Sequence, residues 1–74
     1  MNGEFYEKSL QWLDDNYVRA RKLVFDGDDE IAMFFYQQCD PVIDFLWKTG
    51  IVDYECYCEL RNTHHNLFNT IFLS

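Results

Sequence analysis

Four side chains of the types that bind transition metals lie near the carboxyl end of the 74-residue sequence: Cys56, Cys58, His64 and His65. Zinc requires its ligand atoms about 2.0–2.3 Å from one point. On a helix, Cys56 and Cys58 point to different sides because they are two residues apart. Cys58 and His65 share a face, but about 10 Å of helix axis separates them. We therefore expect no metal site in this segment, and nothing else in the sequence indicates a cofactor.

Two other segments have features of sites for hard cations. The turn 26–30 is rich in carboxylates, the ligands that such cations prefer. It is more simply explained as a polar turn whose acids cap and complement the start of a helix. The segment 50–55, Gly-Ile-Val-Asp-Tyr-Glu, resembles the second half of a calcium-binding EF-hand loop. The first three ligand positions of that loop would hold Phe45, Trp47 and Thr49, so we expect a helix–turn–helix corner instead.

Cys39 and His64 are the candidates for reactive or titrating groups. A nucleophilic thiol needs a lowered pKa, whereas Cys39 precedes Asp40, whose carboxylate would raise it. We expect Cys39 to be a small buried residue. His64 falls on the apolar face of the last helix, which predicts a core histidine hydrogen-bonded to a tyrosine or a backbone carbonyl. The alternative is a pH-sensitive contact, because burial lowers the pKa of histidine. We expect His65 to be solvated.

The sequence contains no recognisable catalytic arrangement. No Ser–His–Asp set, phosphate-binding glycine loop or pair of catalytic acids is apparent. A chain of this length also has little room for a cleft that excludes water. We therefore predict that the protein is not an enzyme and assign no catalytic residues.

The charge balance limits the classes of partner. The chain has 13 acidic and 6 basic residues and a net charge of −7. Direct binding to nucleic acid or to an anionic membrane requires clustered basic residues, so we expect neither. No apolar run approaches the roughly 20 residues that span a bilayer. Three cysteines without a recognisable secretory signal predict reduced thiols and a cytoplasmic location.

The first of the helical segments is predicted from about Gly3 to Leu23. Glu4 with Lys8, and Asp15 with Arg19, are expected to form ion pairs on its outer side. Its main apolar stripe recurs at spacings of three and four and consists of Tyr6, Leu10, Leu13, Tyr17, Ala20 and Val24.

The central segment, 31–47, is apolar around most of its circumference, which is typical of a helix enclosed on most sides. We expect it to begin near Asp28 or Asp29, where acids complement a helix N-terminus. Asp40-Pro41 then predicts the N-cap and first position of a new short helix. A single helix kinked at the proline is the alternative.

The last helix is predicted to begin after Asp53 as its N-cap, with Val52 packing against Tyr57. The whole chain, 1–74, is then a single helical domain. The predicted fold class is all-α, a small antiparallel three-helix bundle whose central helix is broken or kinked at Pro41.

The surplus of large apolar side chains predicts contact with another protein. Aromatic residues make up 19% of the chain, and aromatic anchors supply much of the energy of protein interfaces. We predict a small acidic interaction module that regulates or inhibits another protein. The alternatives are a homo-oligomeric building block, such as a homodimer, and a phage-type acidic inhibitor that mimics nucleic acid. The predicted contact residues, each of which has core packing as its alternative role, are Phe5, Trp12, Leu23, Tyr36 and Trp47.

Overall fold

The computed structural model describes residues 2–73; Met1 and Ser74, the ends of the predicted domain, lie outside them. Four helices follow one another along the chain: α1 (Asn2–Phe25), α2 (Asp29–Gln37), α3 (Cys39–Lys48) and α4 (Tyr54–Phe72). Residues 2–73 contain no β-strand, which confirms the predicted all-α class. None of the helices described is both long and apolar enough to cross a membrane.

Glycines end α1 and α3. Gly27 follows α1 at φ +90°, and Gly50 follows α3 at φ +79°, a region that side chains with a Cβ rarely adopt. After α1, the N–H of Asp28 donates to the Leu23 carbonyl over 2.8 Å; after α3, the N–H of Ile51 donates to the Leu46 carbonyl over 3.0 Å. These are Schellman-type ends, and they allow each helix to stop and the chain to turn within a few residues.

The junction between α2 and α3 lies earlier than predicted. Gln38, with helical angles of φ −63° and ψ −23°, separates the two helices. Asp40 and Pro41 are therefore the second and third residues of α3, and the prediction that they are its N-cap and first residue is wrong. The reason is that Pro41 has no backbone N–H. In a continuous helix, that N–H would have donated to the Gln37 carbonyl. The regular helix ends at Gln37, and the proline occupies the first turn of α3, where an amide has no partner within the helix.

α4 begins as predicted. Asp53 has extended backbone angles, and its side chain accepts a hydrogen bond from the backbone N–H of Cys56 over 2.8 Å. The adjacent Val52 is buried. This N-cap satisfies one of the free amides in the first turn of α4 and determines where the helix begins.

The core lies where the other three helices meet one side of α1. Small residues, Ala20 on α1 and Ala32 on α2, are fully buried and permit a close approach of the two helices. The remaining buried apolar cluster consists of Leu13, Tyr17, Tyr36, Cys39, Ile43 and Ile71. Because α1 is the longest element and is covered on one side, its opposite side faces solvent along most of its length.

Candidate functional site

The structure separates the five predicted contact residues. Phe5 and Trp12 lie on α1 with 48% and 42% of their surface exposed, and Trp47 lies on α3 with 38% exposed. Leu23 is half-buried and packs against the core. Tyr36 is only 6% exposed, because its ring stacks on the His64 imidazole and its hydroxyl donates to the His64 carbonyl. Tyr36 is therefore part of the folded core and does not belong to a contact surface.

Phe5 and Trp12 form one surface with two residues of α3. The Phe5 and Phe45 ring centroids are 6.4 Å apart, and Phe45 is 51% exposed. A shallow groove between the two helices is lined by Phe5, Ser9, Trp12 and Val42 together with Lys8. We call the set Phe5, Trp12, Val42 and Phe45 the α1–α3 face. It is an apolar surface that exists only when both helices are in place.

Trp47 belongs to a second surface, the α3–α4 face, with Tyr54 and Tyr57. Trp47 stacks on Tyr57 at 4.5 Å between centroids and lies 5.7 Å from Tyr54. The Tyr57 hydroxyl donates to Asp44 over 2.9 Å, and this hydrogen bond raises the pKa of Tyr57. Arg61 also forms an ion pair with Asp40. The Trp47 and Tyr57 rings are stacked at an interplanar angle of 22°, so this surface presents stacked aromatic rings.

Phe45 and Val42 were missed in the sequence analysis. Their spacing of three places them on one side of α3, beside the buried pair Ile43 and Leu46. The central segment is apolar on nearly every side, so this spacing alone does not distinguish an exposed flank from a buried one. Only the position of α1 against α3 makes the distinction.

His64 is a core histidine, as predicted. It is 8% exposed, and its Nδ1 lies 2.7 Å from the Tyr17 hydroxyl. Burial raises the pKa of Tyr17 far above its usual value, so the hydroxyl remains protonated and shares a hydrogen bond with the imidazole ring. Burial, followed by the charges of Arg61 and His65, lowers the pKa of His64. His65 itself is exposed, also as predicted.

The three cysteines are free thiols that differ in burial. Cys39 is fully buried, which confirms the prediction of a small core residue, and burial raises its pKa to about 11. A thiol with a raised pKa is a poor nucleophile at neutral pH. Cys56 and Cys58 are half-buried free thiols. Among residues 2–73, no three His, Cys, Asp or Glu side chains converge as metal ligands would.

Charged side chains border the α1–α3 face along the exposed side of α1. Lys8 pairs with Glu4 at 3.3 Å, as predicted. The predicted pair of Asp15 with Arg19 is replaced by other contacts. Asp15 accepts a hydrogen bond from Gln11 over 2.8 Å. Arg19 instead places its guanidinium 5.2 Å from the centroid of the Phe35 ring, a favourable cation–π distance that holds it away from the acid.

No protein-family model, curated protein or solved structure matches this chain. Its two exposed aromatic faces and the charges beside them are therefore the features that indicate a function.

Proposed function

We propose that this protein is a protein–protein interaction module, a small acidic regulator or inhibitor without enzymatic activity, and that its contact surface is the α1–α3 face. The observation that carries the proposal is the partial exposure of three large rings, Phe5, Trp12 and Phe45, on two adjacent helices. Aromatic side chains of this kind are enriched among the residues that contribute most of the binding energy at interfaces.

The α1–α3 face is continuous, and this continuity supports a binding surface as the explanation of its exposed residues better than incidental exposure. Single exposed apolar residues are normal on protein surfaces, whereas contiguous apolar patches mark interaction sites. Phe5 and Phe45 are in contact across the helix boundary, and Trp12 and Val42 continue the same groove. The patch therefore joins residues far apart in sequence, so partner binding at this surface depends on the folded state.

The partner is another protein or a second copy of the chain. A net charge of −7 favours a basic foreign partner through long-range attraction. The same charge supports nucleic-acid mimicry less well, because mimicry needs like charges spaced along one surface. On α1 the exposed charges are of both signs, and four of them, Glu4, Lys8, Asp15 and Arg19, alternate in sign. That alternation favours self-association as the second candidate role.

For the arrangement of the helices and the cellular location, we propose what the sequence predicts. We propose that α2 and α3 form a single bent arm, so that α1, this arm and α4 make an antiparallel three-helix bundle. The short connections at Gly27 and Gly50, each with positive φ, support reversals of chain direction at both sites. Free thiols at Cys39, Cys56 and Cys58 fit a reducing compartment such as the cytoplasm.

The double variant F5S/W12S tests the contact surface. Complete burial of a large apolar side chain contributes about 1.5–3 kcal/mol, and these two are about half-buried. We therefore expect the variant to remain folded by far-UV circular dichroism, with a loss of no more than about 3 kcal/mol in the free energy of unfolding. Binding of Nile red, a neutral dye that the acidic chain does not repel, should fall sharply because two of the three exposed rings of the α1–α3 face are removed.

Two matched variants complete the experiment. Phe25→Ser removes a 91% exposed ring at the end of α1, outside the α1–α3 face, and should leave dye binding close to that of the wild type. Leu13→Ser removes a buried side chain of the same helix and should unfold the protein. If F5S/W12S unfolds as Leu13→Ser does, Phe5 and Trp12 are core residues and the proposed surface is wrong.

A further inference from the structure

Five exposed charged residues lie along the exposed side of α1 beside the α1–α3 face: Glu4, Lys8, Asp15 and Arg19, which alternate in sign, and Lys22 near the end of the helix. We call Glu4, Lys8, Asp15 and Arg19 the charge row; all four are exposed. At about 100° per residue they fall within an arc of about 60°, and Trp12 and Phe5 occupy the next 40° or so. The charged and aromatic stripes are therefore adjacent on the same exposed side of one helix.

The charge row is complementary in charge to the same row of a second copy that runs in the opposite direction. Glu4 and Arg19 lie equally far from the midpoint between Gln11 and Trp12, one on each side, and so do Lys8 and Asp15. When a second α1 runs antiparallel across this midpoint, Glu4 faces Arg19 of the second copy. In the same arrangement, Lys8 faces Asp15 of the second copy. The two-fold symmetry repeats each pair, so all four members of the row meet a charge of opposite sign.

We propose that a second copy of this chain occupies the α1–α3 face, with the two α1 helices antiparallel about a two-fold axis beside Trp12. The inference rests on the proposed function, because it names the occupant of the same surface. The axis brings the two copies of Trp12 together at the centre of the interface, where buried aromatic anchors contribute most. A two-fold dimer is also the commonest way for a chain to close such a surface on itself.

The charge row selects one register for the antiparallel pair. Sliding one helix by four residues in one direction places Glu4 opposite Asp15 of the other copy. Sliding it by four residues in the other direction places Lys8 opposite Arg19. Both shifts bring like charges together, which is unfavourable at a helix–helix contact. Of these three registers, only the one centred beside Trp12 places every member of the charge row opposite a charge of opposite sign.

The net charge of −7 on each copy is compatible with this arrangement. The acidic turn 26–30 follows the end of α1 at Phe25, which lies about 20 Å along the helix from the proposed axis. Antiparallel pairing places the two acidic turns at opposite ends of the dimer, more than about 40 Å apart. That separation is several times the Debye length of about 8 Å at physiological ionic strength, so their mutual repulsion is largely screened.

Two single charge reversals test the pairing through sedimentation equilibrium over a hundredfold concentration range under reducing conditions. Lys8→Glu and Asp15→Lys each convert the two attractive contacts between positions 8 and 15 into repulsive ones. With exposed pairs contributing about 0.2–1 kcal/mol each, we expect each variant alone to raise the dimer dissociation constant by roughly tenfold. An equimolar mixture of the two variants restores opposite charges at both contacts and should return close to the wild-type value.

Glu30→Lys serves as the control, because it changes the net charge by the same amount as Asp15→Lys but lies outside the charge row. It should not raise the dissociation constant. The inference is overturned if the wild type is monomeric throughout, or if the mixture of Lys8→Glu and Asp15→Lys chains fails to recover association. A monomeric wild type whose Nile red binding still falls sharply in F5S/W12S would refute the second copy as occupant and leave the proposed contact surface intact.

Discussion

His64 links three helices through two tyrosine hydroxyls. On α4, its ring nitrogen Nδ1 forms a hydrogen bond with the Tyr17 hydroxyl of α1, and its carbonyl oxygen accepts from the Tyr36 hydroxyl of α2. The Tyr36 ring also stacks on the imidazole at 4.2 Å with an interplanar angle of 12°. Both tyrosines bury their rings while satisfying their hydroxyl groups, the usual condition for a buried tyrosine. The cluster therefore positions α4 against α1 and α2 through directional contacts in addition to apolar packing.

At the residue scale, we expect the free energy of unfolding to fall as the pH drops below about 6.5, the pKa of an unperturbed histidine. The folded-state pKa of His64 is lowered, so the unfolded chain takes up a proton more readily. The stability provided by the neutral imidazole is thus complete above the unfolded pKa. It is progressively lost as the pH falls toward the lowered folded value, by at most about 1.4 kcal/mol per pH unit. Urea denaturation across this range measures the effect.

His65 provides the control for this pH dependence. It neighbours His64 in sequence but is exposed, so His65→Gln should retain most of the dependence. His64→Gln, provided that it folds, should show a weaker dependence of the free energy of unfolding on pH. Unchanged wild-type stability between about pH 7 and pH 5, where histidine titrates, would contradict the assignment of a buried neutral imidazole.

At the element scale, the short joints of this chain depend on local backbone chemistry. α1 and α3 end at glycines with positive φ, and α4 begins with the side-chain cap from Asp53. The α2–α3 joint is different, because Gln38 keeps helical angles and the missing amide of Pro41 interrupts the hydrogen-bond pattern. The ends of α1 and α3 and the start of α4 therefore each follow from one identifiable residue.

We expect Gly50→Ala to destabilise the protein by roughly 1–2 kcal/mol, the cost of placing a side chain in the left-handed region. No atom lies within 4 Å of the added Cβ, so the loss would come from backbone strain alone. Gly3→Ala is the matched control: its Cβ also meets open space, but Gly3 is the second residue of α1, where we expect alanine to stabilise by part of the about 0.5–1 kcal/mol that it contributes in the middle of a helix. Chemical denaturation of both variants should give changes of opposite sign; equal changes would refute this explanation of the α3 end.

At the scale of the whole molecule, the fold is elongated. Its extents are 39 × 19 × 14 Å, and its radius of gyration is 12.7 Å, against about 11 Å for a compact chain of this length. α1, with 24 residues, is about 36 Å long and runs nearly the whole length of the molecule. The three shorter helices cover one side of it. The uncovered side is the one that carries the charge row and the aromatic residues of the α1–α3 face.

Association through this face predicts thermal stability that depends on concentration. Because a dimer that forms from folded chains stabilises the native state by mass action, the wild-type Tm should rise with protein concentration. In F5S/W12S, which lacks the aromatic centre of the interface, the Tm should be independent of concentration. Differential scanning calorimetry at several concentrations makes the comparison. A wild-type Tm that does not change with concentration would count against the dimer.

Much of the local structure was predictable from sequence. The helical periodicity, the Asp53 cap and the Gly50 stop involve contacts within a few residues, so the sequence pattern contains the whole interaction. The core position of His64 was also predictable, since it falls within a clear apolar stripe on α4. The position of the α2–α3 joint was not, because the effect of Pro41 is exerted on the carbonyl of Gln37, four residues earlier.

The sequence by itself determined that the chain is helical, acidic and richer in large apolar side chains than its core requires. Only the tertiary structure decided which of those side chains remain exposed. Tyr36 and Phe45 occupy the same highly apolar central stretch, yet Tyr36 is buried against α4 and Phe45 faces solvent beside α1. A helix that is apolar on nearly every side has no preferred inner face of its own. Its inner face is set by where the neighbouring helices pack, which is a property of the whole fold.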